Sequence, residues 1–208
     1  MLIAQLTDLH IKKQGKIAYQ KIDTLQCLKN AVAHINSLSP QPDWVIVTGD
    51  LGDFGTPEEY GVLVPELKKL KAPIKVVPGN HDHRDHLRVA FDGLASFDHS
   101  EFCHFSQIFE GYHLLGLDTS VLGKPYGQLA PESLLWLSEQ LLAHTELPTL
   151  IFLHHPPMEV GIDHMDVQKL LNDEALWQVV KHHTQVTGLV AGHLHRSICA
   201  TWHGLPVW

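Results

Sequence analysis

The chain has 208 residues, 44% hydrophobic and 18% charged, with a formal net charge of -8. That length suits a single domain spanning 1–208 with enough apolar mass for a core. The acidic balance argues against a grip on long DNA or RNA, which needs a basic stripe, but leaves a small anionic substrate open, because bound metal ions reverse a local field. In chain order, short aliphatic or β-branched runs predict strands at Leu2–Leu6, Trp44–Val47, Ile74–Val77, His113–Leu117, Thr149–Leu153 and Gly188–Ala191. Between the first two, Ile22, Leu25, Leu28, Val32, Ile35 and Leu38 recur at helical spacing and predict a helix over Ala18–Leu38. Thr56-Pro57-Glu58-Glu59 combines an N-cap, a proline at N1 and a capping-box glutamate, so a helix starts there, with Pro65 set to kink or end it. Ala130-Pro131-Glu132 opens another, with Leu134, Leu135, Leu137, Leu141 and Leu142 as its expected core face, and Asp173–His183 is a shorter one. The tail, Ser197–Trp202, His203-Gly204 and Leu205–Trp208, reads as a hairpin. Alternating strands and helices give an α/β class.

Three scattered cysteines, Cys27, Cys103 and Cys199, read as free thiols in a reducing compartment. The start MLIAQLTDLH has no basic stretch ahead of an apolar one, and no run approaches the ~18 apolar residues of a membrane helix. The expected location is cytoplasmic, with no membrane partner. Trp44, Trp136 and Trp177 are expected in the core rather than as a substrate platform.

Five of the six strands run straight into a polar cluster: Asp8-x-His10, Gly49-Asp50, Gly79-Asn80-His81-Asp82, His154-His155-Pro156-Pro157 and Gly192-His193-x-His195. Sites in α/β folds gather beyond the carboxyl ends of strands. Asp8/His10 and His193/His195 are i, i+2 pairs that share a face about 6.5–7 Å apart in extended chain, close enough to serve one metal ion or straddle two about 3.5–4 Å apart. Gly49, Gly79 and Gly192 each precede a candidate ligand, where a sharp turn or close backbone approach requires glycine. A lone Asp-x-His or Gly-Asp is common by accident; five such blocks, all after strands, are not. His83-Arg84-Asp85 is no kinase loop and Gly123-Lys124 no P-loop, because the glycine spacing around each is missing.

As a set, these five blocks resemble those of the calcineurin-like metallophosphoesterases. More narrowly, Thr7-Asp8-Leu9-His10 and Gly161-Ile162-Asp163-His164-Met165-Asp166 resemble bacterial class III cyclic-nucleotide phosphodiesterases and glycerophosphodiesterases. The resemblance implies a four-layer αββα sandwich with two metals at one sheet edge. Asp8, His10, Asp50 and His195 would hold the first metal, and Asp50, Asn80, His154 and His193 the second, with Asp50 bridging. Asn80 and His81 would be catalytic, and His81 and His155 would touch substrate. Relatives continue past the Gly-His-x-His block with strands that complete the sheet and often help form a dimer. This chain stops at Trp208, so the usual C-terminal strands are expected to be missing, and a homo-oligomer stays open.

The expected reaction is hydrolysis of a small phosphodiester, a cyclic nucleotide such as cAMP or a glycerophosphodiester, by hydroxide held between two divalent ions. His81 would contact phosphate or act as general acid, and Asp82 would orient the turn. Oxygen and imidazole ligands without thiolate suit Mn, Fe, Zn or Co better than Mg or Ca. The alternatives are a phosphomonoesterase or a nuclease on short nucleic acid, and a non-catalytic binding scaffold on the same fold, which should have lost ligands that this chain retains.

Overall fold

The computed structural model describes residues 1–14, 16–18, 21–99 and 101–208. Strands β1 (Ile3–Leu6), β2 (Trp44–Thr48) and β3 (Ile74–Val77) pair in parallel as one sheet, with helices α1 (Thr24–Ser37), α2 (Pro57–Leu67) and α3 (Arg84–Ala90) following them. Strands β4 (Phe105–Phe109), β5 (Tyr112–Leu117), β6 (Thr149–Leu153), β7 (Val186–Val190), β8 (Ala200–Trp202) and β9 (Leu205–Val207) form the second, in spatial order β4-β5-β6-β7-β9-β8. Helices α4 (Pro131–Ala143) and α6 (Asp173–Val180) belong to this half, and the single turn α5 (Asp163–Asp166) interrupts the loop after β6.

Three apolar cores explain the layering. Ile46, Val77, Phe105, Leu114 and Phe152 interlock between the sheets. Leu28 and Val32 of α1, with Tyr60, Leu63 and Leu67 of α2, cover the outer face of the first sheet. Trp136, Leu137 and Leu141 of α4 and Leu176 and Val180 of α6 cover that of the second. The order helix, sheet, sheet, helix is therefore the one the sequence led us to expect.

Several boundaries move, each for a local reason. Helix α1 begins at Thr24, not Ala18, because the Asp23 carboxylate caps the Gln26 amide, while Ala18 and Ile22 pair in a short β-bridge; Tyr19 and Gln20 of the expected helix lie outside the described residues. Pro65 neither ends nor breaks α2, which runs on to Leu67. In α4 the buried face is Ser133, Trp136, Leu137 and Leu141, a phase that leaves Leu135 and Leu142 in solvent; the expected leucine face is wrong for those two. Helix α6 stops at Val180, and β7 starts two residues early at Val186. The reading in sequence missed β4, whose Phe-Ser-Gln-Ile-Phe alternation joins β5 through a tight Glu110-Gly111 turn, both residues at positive φ.

The segment after His195 does supply strands: β8 and β9 form the expected hairpin around His203-Gly204, and β9 pairs in parallel with β7. Trp136 and Trp202 are buried, and Trp177 packs beside them. No helix among the described residues is long and apolar enough to cross a membrane. The three cysteines are free.

Candidate metal centre

The first sheet is parallel, and so are β5, β6 and β7 of the second, so the carboxyl ends of β1, β2, β3, β6 and β7 can deliver their loops to one edge. There the five polar blocks meet. Backbone bonds carry the pairing of each sheet past its strand ends: Asp8 N–H donates to Gly49 O and His10 N–H to Asp50 O in the first, and Gly192 N–H to His154 O in the second, while the His193 amide donates to the Asp8 carboxylate from one sheet to the other. Glycine is required where these loops touch. A Cβ on Gly79 would lie 2.1 Å from Asp50 Oδ1, and one on Gly192 would lie 2.2 Å from Thr7 Oγ1.

Five of the seven expected ligands, Asp8, His10, Asp50, His193 and His195, hold left-handed backbone, with φ between 42° and 74°. The other non-glycine residues at positive φ among those described, Glu110 and His203, sit in the two hairpin turns. Left-handed φ is uncommon outside glycine, and its concentration in one cluster marks a place where local strain is held by its surroundings.

One oxygen organises the cluster. Asp50 Oδ2 lies 3.6 Å from His10 Nε2 and 3.4 Å from His154 Nε2. The other oxygen, Oδ1, accepts the His81 amide at 2.9 Å. Around His10, its Nε2 is 3.1 Å from His195 Nε2, which is in turn 3.4 Å from Asp8 Oδ1. Around His154, its Nε2 is 3.2 Å from Asn80 Oδ1 and 3.2 Å from His193 Nδ1. His154 Nδ1–H donates to the Thr48 carbonyl at 2.7 Å, which turns Nε2 inward. Each half of the cluster thus gathers lone pairs of nitrogen and oxygen, aimed at one another with too few protons between them. Such a donor set fits a cation. The groups Asp8, His10, Asp50, His195 and His154, His155, His193 each bring ligand atoms within 4.8 Å of one another.

Electrostatics agree with crowded acceptors. Burial works to raise the Asp50 carboxyl, but His154 and the other imidazoles around it hold it far below the usual carboxylate range. Burial likewise opposes the charge on His154, yet the Asp50 carboxylate pushes it up to about 9. Burial, then His154, brings His193 down to about 4. The hydrogen bond to Asp8 raises His195. Asp82, half-buried, accepts the amides of Leu51, Gly52 and Gly79 and the Tyr60 hydroxyl, and so ties the Asn80–His81 loop to the Asp50 loop; burial and the nearby Asp50 raise it to about 6. It orients the turn, as expected.

One residue expected to touch substrate is set back from the cavity. His155 is completely buried behind His154 and His193, with Nδ1 2.8 Å from Thr119 Oγ1, and Gly127 pressed against its ring. It packs behind the ligands and is not among the residues that line the cavity in front of them. His81 does line the cavity in front of the ligands, an opening of about 310 Å³ that also exposes Ile162, His164, Met165, Gln168, Leu194 and Arg196.

Sequence reading passed over Asp53. Its backbone carbonyl accepts from His81 Nδ1 at 2.7 Å, its carboxylate lies 3.6 Å from His10 Nδ1, and Lys12 is paired with it. A signal was there: Asp50-x-x-Asp53 puts a second acid three residues beyond a ligand. Arg84 was dismissed with the kinase-like tripeptide, yet its guanidinium grips the buried Asp118 carboxylate, with Nη2 3.1 Å from Oδ1. That pair fastens the loop carrying Asn80 and His81 to the end of β5.

Residues 1–197 match the family described as calcineurin-like phosphoesterase. The chain belongs to that family. It is 42% identical over its whole length to a protein of Arcobacter nitrofigilis named "Probable glycerophosphodiester phosphodiesterase GpdQ", covering 76% of that protein. It is 37% identical over 99% of its length to a "Probable cyclic nucleotide phosphodiesterase" of Rhodopseudomonas palustris, again covering 76%. A "cAMP/cGMP dual specificity phosphodiesterase" of Mycobacterium tuberculosis is 33% identical over 99% of the chain, which spans 65% of that relative. Among solved structures, a dimetal phosphatase from Danio rerio superposes with a TM-score of 0.78 over 99% of this chain and 85% of its own, at 17% identity, a likeness of fold.

Proposed function

We propose that the chain is a metal-dependent phosphodiesterase acting on a small phosphodiester, a cyclic nucleotide or a glycerophosphodiester, through a centre that takes two divalent transition-metal ions, Mn, Fe, Zn or Co. The observation that carries this reading is Asp50 Oδ2, which faces both ligand groups at once. Asp8, His10 and His195 would complete one site with it, and Asn80, His154 and His193 the other. Two cations held there would neutralise phosphate oxygens and make water acidic enough to supply hydroxide near neutral pH.

The chain's own groups account for the rest. The Asn80 and His81 loop is clamped by Asp82 and by the Asp50–His81 amide hydrogen bond, so both side chains are presented to substrate without much reorganisation. Because a carbonyl only accepts, His81 Nδ1 carries its hydrogen toward Asp53 O, and Nε2 is the ring nitrogen left for the cavity. As an imidazolium, His81 would give the Nε2 proton to the departing oxygen when the P–O bond breaks, and return to neutral imidazole. A diester carries a second esterifying group beside the reacting bond. Ile162, Met165 and Leu194 offer it apolar wall, with His164, Gln168 and Arg196 as polar contacts.

The test is a substrate panel on metal-reconstituted protein, with and without chelator, run on wild type and His81→Ala. The expected result is chelator-sensitive hydrolysis of diesters in excess of monoesters. His81→Ala should cost roughly 10²–10⁴-fold in turnover on an alkyl diester and far less on a p-nitrophenyl diester, whose leaving group needs no proton. Metal-independent turnover, or preference for monoesters, refutes the reading; equal losses on both diesters make His81 a phosphate-positioning group instead.

A further inference from the structure

At the other end of β2 and β3 from the metal ligands lies a separate cleft of about 880 Å³. Its wall includes Trp44, the first residue of β2, and Ala72, Pro73, Ile74 and Lys75, where β3 begins. Asp50 and Asn80 follow the opposite ends of those strands. The remaining lining comes from the end of α2 and the turn after it, from α3, from the loop that reaches Phe97, and from Gln107 of β4.

Charge sets this cleft apart. Lys68, Lys71, Lys75 and Arg88 line it against one acid, Asp92, in a chain whose formal net charge is -8. Lys75 is the unusual member. Only 6% exposed, it stands on β3 with Val77, whose side chain belongs to the core between the sheets. Its ammonium has three hydrogens to donate and, among the described residues, one partner, the hydroxyl of exposed Ser96 at 3.1 Å. Phe105 and Trp44 offer it ring faces at 5.5 and 6.0 Å. Asp98 acts on it only at a distance, since no carboxylate among the described residues lies within 4 Å of Lys75, and the Asp98 carboxylate itself accepts the Ser106 amide. A buried cation with one neutral partner is costly.

A lysine that merely snorkels out of the core needs water for its own head; it does not need three further cations around the same opening. Arg88 is already braced for such a role. Its Nη2 donates to the His99 and Phe102 carbonyls, and its guanidinium lies 5.2 Å from the Phe97 ring, which fixes its direction.

We infer that this cleft is an anion-binding site, distinct from the metal centre, that takes the phosphate group of a small molecule, with Lys75 as its buried anchor and Lys68, Lys71 and Arg88 around it. The site needs no resident metal, and its occupant would be held by charge-assisted hydrogen bonds.

The experiment uses the full metal-loaded chain labelled with 5-fluorotryptophan. The chain has five tryptophans, and the Trp44 resonance is assigned with Trp44→Phe. Inorganic phosphate is titrated against chloride at matched ionic strength. The Trp44 signal should shift and saturate. Lys75→Met should weaken that midpoint roughly tenfold or more, the loss expected for one charge-assisted hydrogen bond. Trp208, which lines the cavity reaching Asp8 and His195, reports phosphate at the metal centre, and its midpoint should be untouched by Lys75→Met. The surface pair Lys68→Gln/Lys71→Gln provides a second variant should Lys75→Met fail to fold, and it too should weaken the Trp44 midpoint while diester turnover stays at wild type. A Trp44 shift that never saturates, that tracks chloride equally, or that keeps its midpoint in both variants overturns the proposal.

Discussion

Binding of a metal ion to the Asn80, His154 and His193 group should expel a proton from His154, and the cost of that proton is large enough to measure. Without a cation, the Asp50 carboxylate holds His154 up to about 9. At pH 7, stripping the proton from a group at 9 costs two pH units at 1.36 kcal/mol each, or about 3 kcal/mol. Apparent metal affinity should therefore rise about tenfold per pH unit from pH 7 to near 9 and then flatten. Calorimetric titration with Mn or Zn in buffers of different ionisation enthalpy reads both the affinity and the number of protons released, expected to be close to one at pH 7. The same pair makes a second statement about the metal-free chain. His154 is raised above its unfolded value near 6.5, so its contribution to stability is fully present below that pH. That contribution is lost as pH climbs through 9, a fall of about 3 kcal/mol in unfolding free energy. The Asp50 shift describes the same pairing and is not added to it. Affinity flat between pH 7 and 9, with no proton released, would refute the assignment of His154 as a ligand drawn from an ion pair.

Two further outcomes follow from named groups. The Asn80 half of the centre replaces a carboxylate by a neutral amide, so its ion should bind more weakly and leave first under mild chelation, and Asn80→Asp should tighten it; filling of that half before the Asp8 and His10 half, in a titration at limiting metal, would contradict the charge argument. Asp118→Ala strands the partly buried Arg84 guanidinium and removes the acceptor for the Cys103 and Ser120 amides, so unfolding free energy should drop by about 3–5 kcal/mol. A change under 1 kcal/mol in urea unfolding would mean that the loop after His81 is secured elsewhere.

Much of the site was readable in sequence, because its residues follow strands that are themselves plain. Val45, Ile46 and Val47, or Leu150, Ile151 and Phe152, can hardly be anything but interior chain, and what comes next sits at a sheet edge. What the sequence concealed depends on contacts between distant segments. Asp53 matters because a loop folds back under His10 and His81, and Arg84 because β5 ends opposite α3. His155 looks like its neighbour in the string of letters, yet in the bend after β6 one imidazole turns into the ligand cluster and the other into the wall. The edge strand β4, Phe-Ser-Gln-Ile-Phe, lacks the aliphatic run that betrays β2, β3 and β6.

The left-handed backbone at Asp8, His10, Asp50, His193 and His195 has a consequence for anyone breeding this protein. Each such residue costs of order 1 kcal/mol relative to glycine, a tension that the metal-free chain offsets in part through pairs such as Asp50–His154 and that a bound cation would offset further. Exchanging His195 for glycine should thus relax the fold while deleting the function. A library ranked on melting temperature alone, in chelating buffer, would promote inactive chains. Ranked with metal present, the same library would favour His195 again, and the difference between the two rankings would measure how much of that tension a cation offsets.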